Sequence, residues 1–463
     1  MLTQKTVGIR QHILDLLENG DLRAGEKIQP ARDLAVNMGT SFLKTQQALE
    51  SLVQDCILQT RNRQGTYVRQ GWQDRILHDQ ISIFNMAHRL PWVARLQDLV
   101  HDYLLELRFT HVFQRSDIEP KTTFSIQQNP DQYMDLSGIL KDCYPEASTL
   151  FFDKPFAPFR SGNQLYAIPF TFSPRVIFFN ADLFRQAGCP LPSGNWTWED
   201  FLTAVRKLKV ILPNDRILNY YKQAHVWINY IHRSGGNLLI HDPDERIVLD
   251  QSEVYRALSC FQELGLLLEE AAYKTDEYHY DFRRGKAAMI LQGRQLMETL
   301  PPKSELNWQT VPMPIFPGGE DITTQATDAI CVRKSCKDLG LARETIKLFL
   351  SEHIQDFMAE QRYSIPIRVS SASKTIDLRD PSDALFAAEM SKLGQIHLST
   401  CPGLLDFILT GIEKILTRHE DLSTSLATLT QAANTFKDVH DFRRQDALDR
   451  QSERARIRSK IIR

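Results

Sequence analysis

The sequence is poor in cysteine, has no long apolar run and carries no large excess of either charge sign. Its seven cysteines (Cys56, Cys143, Cys189, Cys260, Cys331, Cys336, Cys401) are an odd, scattered set. No two pairs stand at metal-knuckle spacing and Cys331 with Cys336 is an isolated pair, which excludes a disulfide scaffold and a zinc ribbon. A reducing, cytoplasmic home is the expectation. No stretch of about 18 apolar residues occurs, so no membrane-spanning helix is expected. The opening MLTQKTVGIRQHILDLLENGD lacks the apolar core and cleavage site of a signal peptide. The 13 histidines form no His-Glu-x-x-His set, and no glycine-rich phosphate loop with its Lys and Ser/Thr is present. Gly318-Gly319 lacks those partners and reads as a turn. With no compact group of acid, base and nucleophile, an enzyme is not expected, nor is a cofactor or metal.

What is present is the composition of a folded protein: 463 residues, 42% hydrophobic and 24% charged. That length has room for about three domains. The net charge of -2 hides a division. Residues 1–72 hold nine Lys/Arg against seven Asp/Glu, net +2, and the remainder holds 46 against 50, net -4.

The first 70 residues read as a series of short elements. Ile9, Ile13, Leu16 and Leu17 mark one amphipathic helix, stopped by Asn19-Gly20. Pro30 suits the start of a second helix over 31–37, because a missing amide costs nothing there. Met38-Gly39-Thr40-Ser41 is a tight connection whose hydroxyls can cap a third helix over 41–55, with Thr45, Ala48, Leu49 and Leu52 inward. Residues 57–60 and 66–68 then flank a loop at Gly65 and read as a hairpin. Three helices and a hairpin in this order make a winged helix-turn-helix, whose third helix enters the major groove of DNA while the hairpin serves as wing.

This segment also resembles the DNA-binding domain of the GntR family of bacterial regulators. The resemblance rests on Gly20-x-Leu22-x-x-Gly25-x-Lys27-Ile28-x-Pro30-x-Arg32-x-Leu34-Ala35, then Gly39-x-Ser41, Ala48-Leu49-x-x-Leu52 and Gly65-Thr66-Tyr67-Val68. It implies a DNA face made by Arg32, Ser41, Phe42, Lys44, Thr45, Gln46, Gln47, Arg61, Arg63 and Gly65, with Thr45 also on the inner face of its helix. The family's usual Arg after the Ser, and its frequent Thr two residues beyond, are replaced by Phe42 and Lys44. Phe packs on a thymine methyl or a sugar, where Arg would bond guanine or phosphate, so a different operator is expected. Arg32, Arg61 and Arg63 each have a plainer alternative as ordinary surface cations.

From about residue 78 the chain changes character. Segments 80–84, 90–107 and 108–113 read as strand, helix and strand, the start of an α/β lobe. Further strands are expected at 165–169, 176–179, 287–291 and 328–333, and helices at 198–209, 225–235, 250–268, 279–286 and 338–351, with a mostly helical stretch over 377–440. Residues 78–440 resemble family 1 extracellular solute-binding proteins, receptors for sugars and oligosaccharides. The carriers are Tyr166-x-Ile168-Pro169, Phe179-Asn180-x-x-Leu183-Phe184-x-x-Ala187-Gly188, Trp196-Thr197-Trp198-x-Asp200-Phe201, Gly235-Gly236, Phe282-x-x-Gly285-Lys286-Ala287-Ala288-Met289 and Ile365-Pro366-Ile367. The resemblance implies a two-lobed α/β periplasmic-binding-protein-like fold over 73–450 behind the winged helix of 1–72, with a basic tail at 451–463. That tail either touches DNA or ends as a solvated helix. The chain between 113 and 135 is short for the family, so the first lobe is expected to be trimmed at that edge.

Together the modules imply a ligand-responsive transcriptional regulator that binds double-stranded operator DNA as a homodimer and senses a sugar, without membrane contact. The alternative is a receptor domain that has lost its ligand and serves assembly. Sugars are held by aromatic planes and by charged or amide side chains. Candidates by position are His88, Trp92, Arg175, Trp227, Asn237, Arg294, Thr324, Asp328 and Tyr363. Arg175 meets either a ligand or a carboxylate; Trp227 either stacks on a ligand or packs in a core.

Overall fold

The computed structural model describes residues 4–73, 82–84, 91–104, 107–110, 116–220, 224–239, 246–250, 252–269, 275–336, 338–394 and 401–461. Its first unit is built on helix α1 (Gln4–Asn19), α2 (Ala31–Asn37) and α3 (Phe42–Gln54), followed by strands β1 (Leu58–Arg61) and β2 (Gly65–Val68). The buried stripe of α1 is Ile9, Ile13, Leu14 and Leu17, so Leu14 takes the inward place expected for Leu16. These side chains meet Leu34, Ala48, Leu49, Leu52 and Val68 in one small core. The Ser41 hydroxyl caps α3 by accepting from the Lys44 amide, which meets one of the four unsatisfied amides of the first turn. Arg10 ties α1 to α3 through Asp55 and Ser51, both at 2.5 Å. β1 and β2 pair antiparallel from Leu58↔Val68 to Arg61↔Gly65. The connection between α1 and α2 adds a further bridge, Lys27↔Tyr67, against β2.

Two lobes follow. The first is organised on a six-stranded sheet that includes β3 (Ser82–Phe84), β4 (Arg108–Thr110) and β5 (Ile118–Thr122). A two-stranded hairpin, β6 (Arg160–Ser161) with β7 (Gln164–Leu165), precedes β8 (Ile168–Pro174), so the strand expected at 165–169 is two strands with a break between them. β8 runs through Arg175 into β9 (Val176–Asn180), which with β10 (Met289–Gln292) and β11 (Trp308–Val311) forms the three-stranded sheet of the second lobe, ordered β10-β9-β11. The chain returns along β12 (Gln325–Val332) and adds β13 (Ile365–Pro366), completing the first sheet in the order β13-β8-β12-β5-β3-β4. β3 and β4 pair parallel around helix Pro91–Tyr103, the β-α-β opening the sequence predicts.

β9 alternates sides as a strand must. Val176 and Phe178 face the core of the first lobe, with Ile290 and Trp308. Ile177 and Phe179 face that of the second, with Met289, Leu291 and Val311. The two lobes thus share this sheet, and the chain crosses between them at Ser173–Arg175 and again ahead of β12.

Residues Leu422–Ile461 form one 40-residue helix, which runs into the basic segment at 451–463; its first turns bury Leu422, Leu426, Leu429 and Ala433 and its later part exposes Val439, Phe442 and Leu448. The helix expected at 279–286 lies earlier, at Thr275–Arg283. No disulfide joins any of the seven cysteines. Among the described residues no helix is long and apolar enough to cross a membrane.

Candidate functional site

Two surfaces carry the chemistry. The first is the exposed face of the winged helix. At the start of α3, Phe42 is 46% and Leu43 64% exposed, an apolar pair beside the Arg32 guanidinium, which stands 5.8 Å from the Phe42 ring centroid. Gln46 and Gln47 are exposed on the same helix, and Gln46 donates to Glu50 at 2.9 Å. Lys44 is half-buried. On the wing, Arg61 lies 4.2 Å over the Tyr67 ring, and Arg63 takes the left-handed conformation at φ 58°. Gly65 has φ 109°, the left-handed region that favours glycine, while a Cβ there would meet only the movable end of the Lys27 side chain at 2.8 Å. A groove of about 630 Å³ between α3 and the wing is lined by Lys27, Phe42, Gln46, Glu50, Gly65 and Thr66, among others.

Thr45 is a correction to the expected DNA face. It is fully buried and its hydroxyl donates to the Ser41 carbonyl at 3.2 Å, so it packs the inner side of α3 and cannot reach a base. Leu43 was not anticipated. It lies off the Thr45-Ala48-Leu49-Leu52 stripe, which is the signal that could have found it.

The second surface is a cavity of about 240 Å³ at the junction of the lobes, where the two crossing segments meet. The Arg175 amide donates to the Thr324 carbonyl at 2.8 Å, binding one crossing to the other. Arg175, Thr324, Asp328 and Tyr363 all line it, together with Thr122, Thr123, Gln127, Asn229, His232 and Gln325. Asp328 sits where the β12–β8 register shifts, a bulge that re-aims side chains, and accepts from the Thr171 hydroxyl at 3.2 Å. Burial pushes its carboxyl up to about 6, against the pull of Thr171 and Arg175. Burial also lowers Arg175 to about 10, with Asp328 opposing. No direct ion pair joins the two: among the described residues the Arg175 side chain has one hydrogen bond, from Nη1 to Gln292 Oε1 at 2.8 Å. Burial raises the Tyr363 hydroxyl well above its usual range.

Among the described residues several buried polar atoms of lining residues have no hydrogen-bond partner: Thr123 Oγ1, Gln325 Oε1 and Nε2, and Thr327 Oγ1. Each such group costs roughly 1–3 kcal/mol if left dry. The cavity is therefore suited to a polar occupant rich in hydrogen-bonding groups.

Other expected ligand contacts lie elsewhere. Arg294 is fully buried and does not line the cavity. Its guanidinium donates to Asp383 Oδ1 at 2.9 and 3.0 Å, to the Arg362 carbonyl at 2.5 Å and to the Thr375 carbonyl at 3.0 Å. It fixes the segment after β10 to the first lobe, and burial lowers its pKa. Trp227 is fully buried in the second core, one and two residues before the lining Ile228 and Asn229, and so packs instead of stacking on a ligand. Asn237 turns the chain by accepting from the Leu239 amide at 3.2 Å and is not among the lining residues. His88 lies outside the described residues, as does the side chain of Trp92.

The edge expected to be trimmed supplies Thr122, Thr123 and Gln127 to the cavity. It was hidden because β5 reads Ile-Glu-Pro-Lys-Thr, unlike a strand. Its Glu119 is buried, held by Arg333 at 2.5 Å, Lys121 at 3.0 Å and the Tyr133 hydroxyl at 2.7 Å.

Comparison with known proteins agrees with this division. Residues 5–68 match the family model of bacterial regulatory proteins, gntR family. Residues 126–356 match that of bacterial extracellular solute-binding protein. Among solved structures, an ABC substrate-binding protein from Listeria monocytogenes in complex with cycloalternan is similar over 77% of this chain and 98% of its own, with 15% identity and a TM-score of 0.64. A solute-binding protein from Thermotoga lettingae bound with alpha-D-tagatose covers 77% of this chain and 99% of its own, at 14% identity and TM-score 0.63. UgpB from Mycobacterium tuberculosis in complex with glycerophosphocholine covers 78% and 98%, at 14% and 0.60. Identities this low speak for the fold alone. Among curated protein sequences there is no match to this chain.

Proposed function

The chain carries a gntR-family winged helix fused to a bacterial solute-binding-protein domain, and from that premise we propose a cytoplasmic transcriptional regulator whose hold on operator DNA is set by a sugar in the interlobe cavity. The observation that carries this reading is the fusion itself: an exposed DNA-reading face on the same chain as a cavity lined by unpartnered polar atoms. Fold relatives crystallised with cycloalternan and with alpha-D-tagatose support a sugar as the ligand class. A receptor kept only for assembly gives no reason for those unpartnered groups.

The mechanism follows from linkage. A ligand shifts an equilibrium only by binding its two states unequally. The states here are two settings of the lobes about the Ser173–Arg175 and Thr324 crossings. For occupancy to reach DNA, these settings must alter the spacing or order of two winged helices on one operator. A symmetric homodimer on a pseudo-palindrome is the economical assembly, because one winged helix reads only a short half-site.

The test is operator selection with the purified protein, then fluorescence anisotropy on the selected DNA with and without a panel of sugars. At least one sugar is expected to change operator affinity several-fold. Arg32→Ala is expected to weaken binding across sequences and to lower the salt slope by about 1. Operator affinity indifferent to every compound that binds the receptor would overturn the proposal.

A further inference from the structure

We infer that the effector is a monosaccharide-sized polyhydroxy acid, a sugar carboxylate or sugar phosphate, whose anionic group is gripped by Arg175. The inference rests on the sensing role proposed above and narrows its ligand.

Size comes first. The cavity of about 240 Å³ falls below the roughly 300 Å³ at which ordinary ligand pockets begin. A single ring or short open chain fits that space and a long oligosaccharide does not.

Charge comes second. A guanidinium has five N–H donors in a planar fork. Arg175 spends Nη1 on Gln292, and no other side-chain hydrogen bond or ion pair of it is formed among the described residues. It nevertheless lines a cleft at the junction of the lobes, half-buried, where water cannot satisfy the remainder as fully as bulk solvent does. Asp328, the acid on the same wall, is engaged by Thr171 and makes no ion pair with it. A fork of unspent donors on a partly desolvated cation matches the two oxygens of a carboxylate or phosphate. By contrast Arg294, whose guanidinium is spent on Asp383 and two carbonyls, has nothing left for a ligand.

The third point concerns the rest of the wall. Tyr363 and His232 supply rings to the described lining. The described wall is otherwise mainly polar, with Thr123, Gln325, Thr327 and Asp328 among its residues. Of these, the Asp328 carboxylate accepts from ligand hydroxyls. The ligand is thereby oriented, acid toward Arg175 and hydroxyls toward Asp328.

Isothermal titration of the full chain with matched probes tests this: glucose, glucuronate and glucose 6-phosphate, the same three forms of galactose and mannose, and maltotriose. At least one acid is expected to bind about tenfold or more tightly than its neutral parent. Arg175→Gln, which keeps the backbone bond to Thr324, is expected to weaken that acid about 10- to 100-fold while leaving the melting temperature unchanged. Carboxylate and phosphate arms identify which anion is used. Tighter binding of a neutral hexose or of maltotriose, or an acid affinity untouched by Arg175→Gln, overturns the inference; so does silence from every probe. Operator anisotropy separates this from the sensing role. A neutral sugar that shifts operator affinity sinks the acid and leaves sensing intact, whereas an acid that binds through Arg175 without moving operator affinity does the reverse.

Discussion

Replacing Arg294 by methionine separates a residue that holds the hinge from one that holds the ligand. The side chain is fully buried and makes four donor contacts, two of them to Asp383 Oδ1. Removing one member of a buried ion pair costs about 3–5 kcal/mol, because the other charge is left in a low dielectric. Asp383 would keep the Arg362 guanidinium at 2.8 Å and the Asp377 amide at 3.0 Å, which places the loss at the lower end. The carbonyls of Arg362 and Thr375 each lose a donor, adding about 1 kcal/mol apiece. The expected destabilisation is therefore about 5 kcal/mol, read as a fall in the urea midpoint of the receptor transition with the winged-helix transition unmoved. Adding Asp383→Leu should restore a substantial part, since a buried pair exchanged for apolar groups of similar size is often neutral. A single variant within about 1 kcal/mol of the parent, yet unable to respond to ligand, would refute the reasoning and return Arg294 to the binding site.

Two further outcomes follow from single sites. Gly65→Ala forces a side chain into φ 109° and toward Lys27, a strain of about 1–3 kcal/mol; the winged-helix melting temperature and operator affinity should both fall, and no change in either contradicts the geometry of the wing. Asp328→Asn should stabilise the receptor at pH 7.5, where the buried carboxylate is ionised. Its folded pKa of about 6 exceeds the ordinary carboxyl value of 3.8, so the penalty is absent well below pH 4 and grows as pH rises to 6, reaching at most about 3 kcal/mol. The advantage of asparagine in thermal melts should be about half as large at pH 5, and an advantage independent of pH would count against the burial of this acid.

Much of the fold is legible because local signals agree with the packing. Pro30, Ser41 and Gly65 punctuate the winged helix, and the interval between them sets α2 at Ala31–Asn37 and α3 at Phe42–Gln54. Val-Ile-Phe-Phe announces β9 by composition alone. What escapes is stabilised at a distance. β5 carries a buried glutamate that is tolerable only because Arg333, more than two hundred residues away, and Tyr133 fold onto it. Nothing near Glu119 in the sequence reveals those partners. Beside it, Pro120 stands opposite Ile330 of β12, and among the described residues β3 pairs with β5 at Ile83↔Ile118.

The cavity is legible to the extent that chemistry marks it. Arg175, Thr324, Asp328 and Tyr363 come together because they stand where strands end and the chain crosses between lobes, a position that can be counted along the sequence. Thr123, Gln325 and Thr327 carry no comparable mark, since an amide or hydroxyl is unremarkable until it is buried without a partner. The same limit explains why Arg175 and Arg294 look alike as letters. Each is an arginine beside a strand of the crossing region, and each has an aspartate within its electrostatic reach. In one the aspartate lies in hydrogen-bond contact and the donors are consumed; in the other the carboxylate is bonded elsewhere and the donors remain. Residue type is written in the sequence, but the state of its hydrogen-bonding valence is a property of the assembled structure, and here that state separates a hinge clamp from a ligand contact.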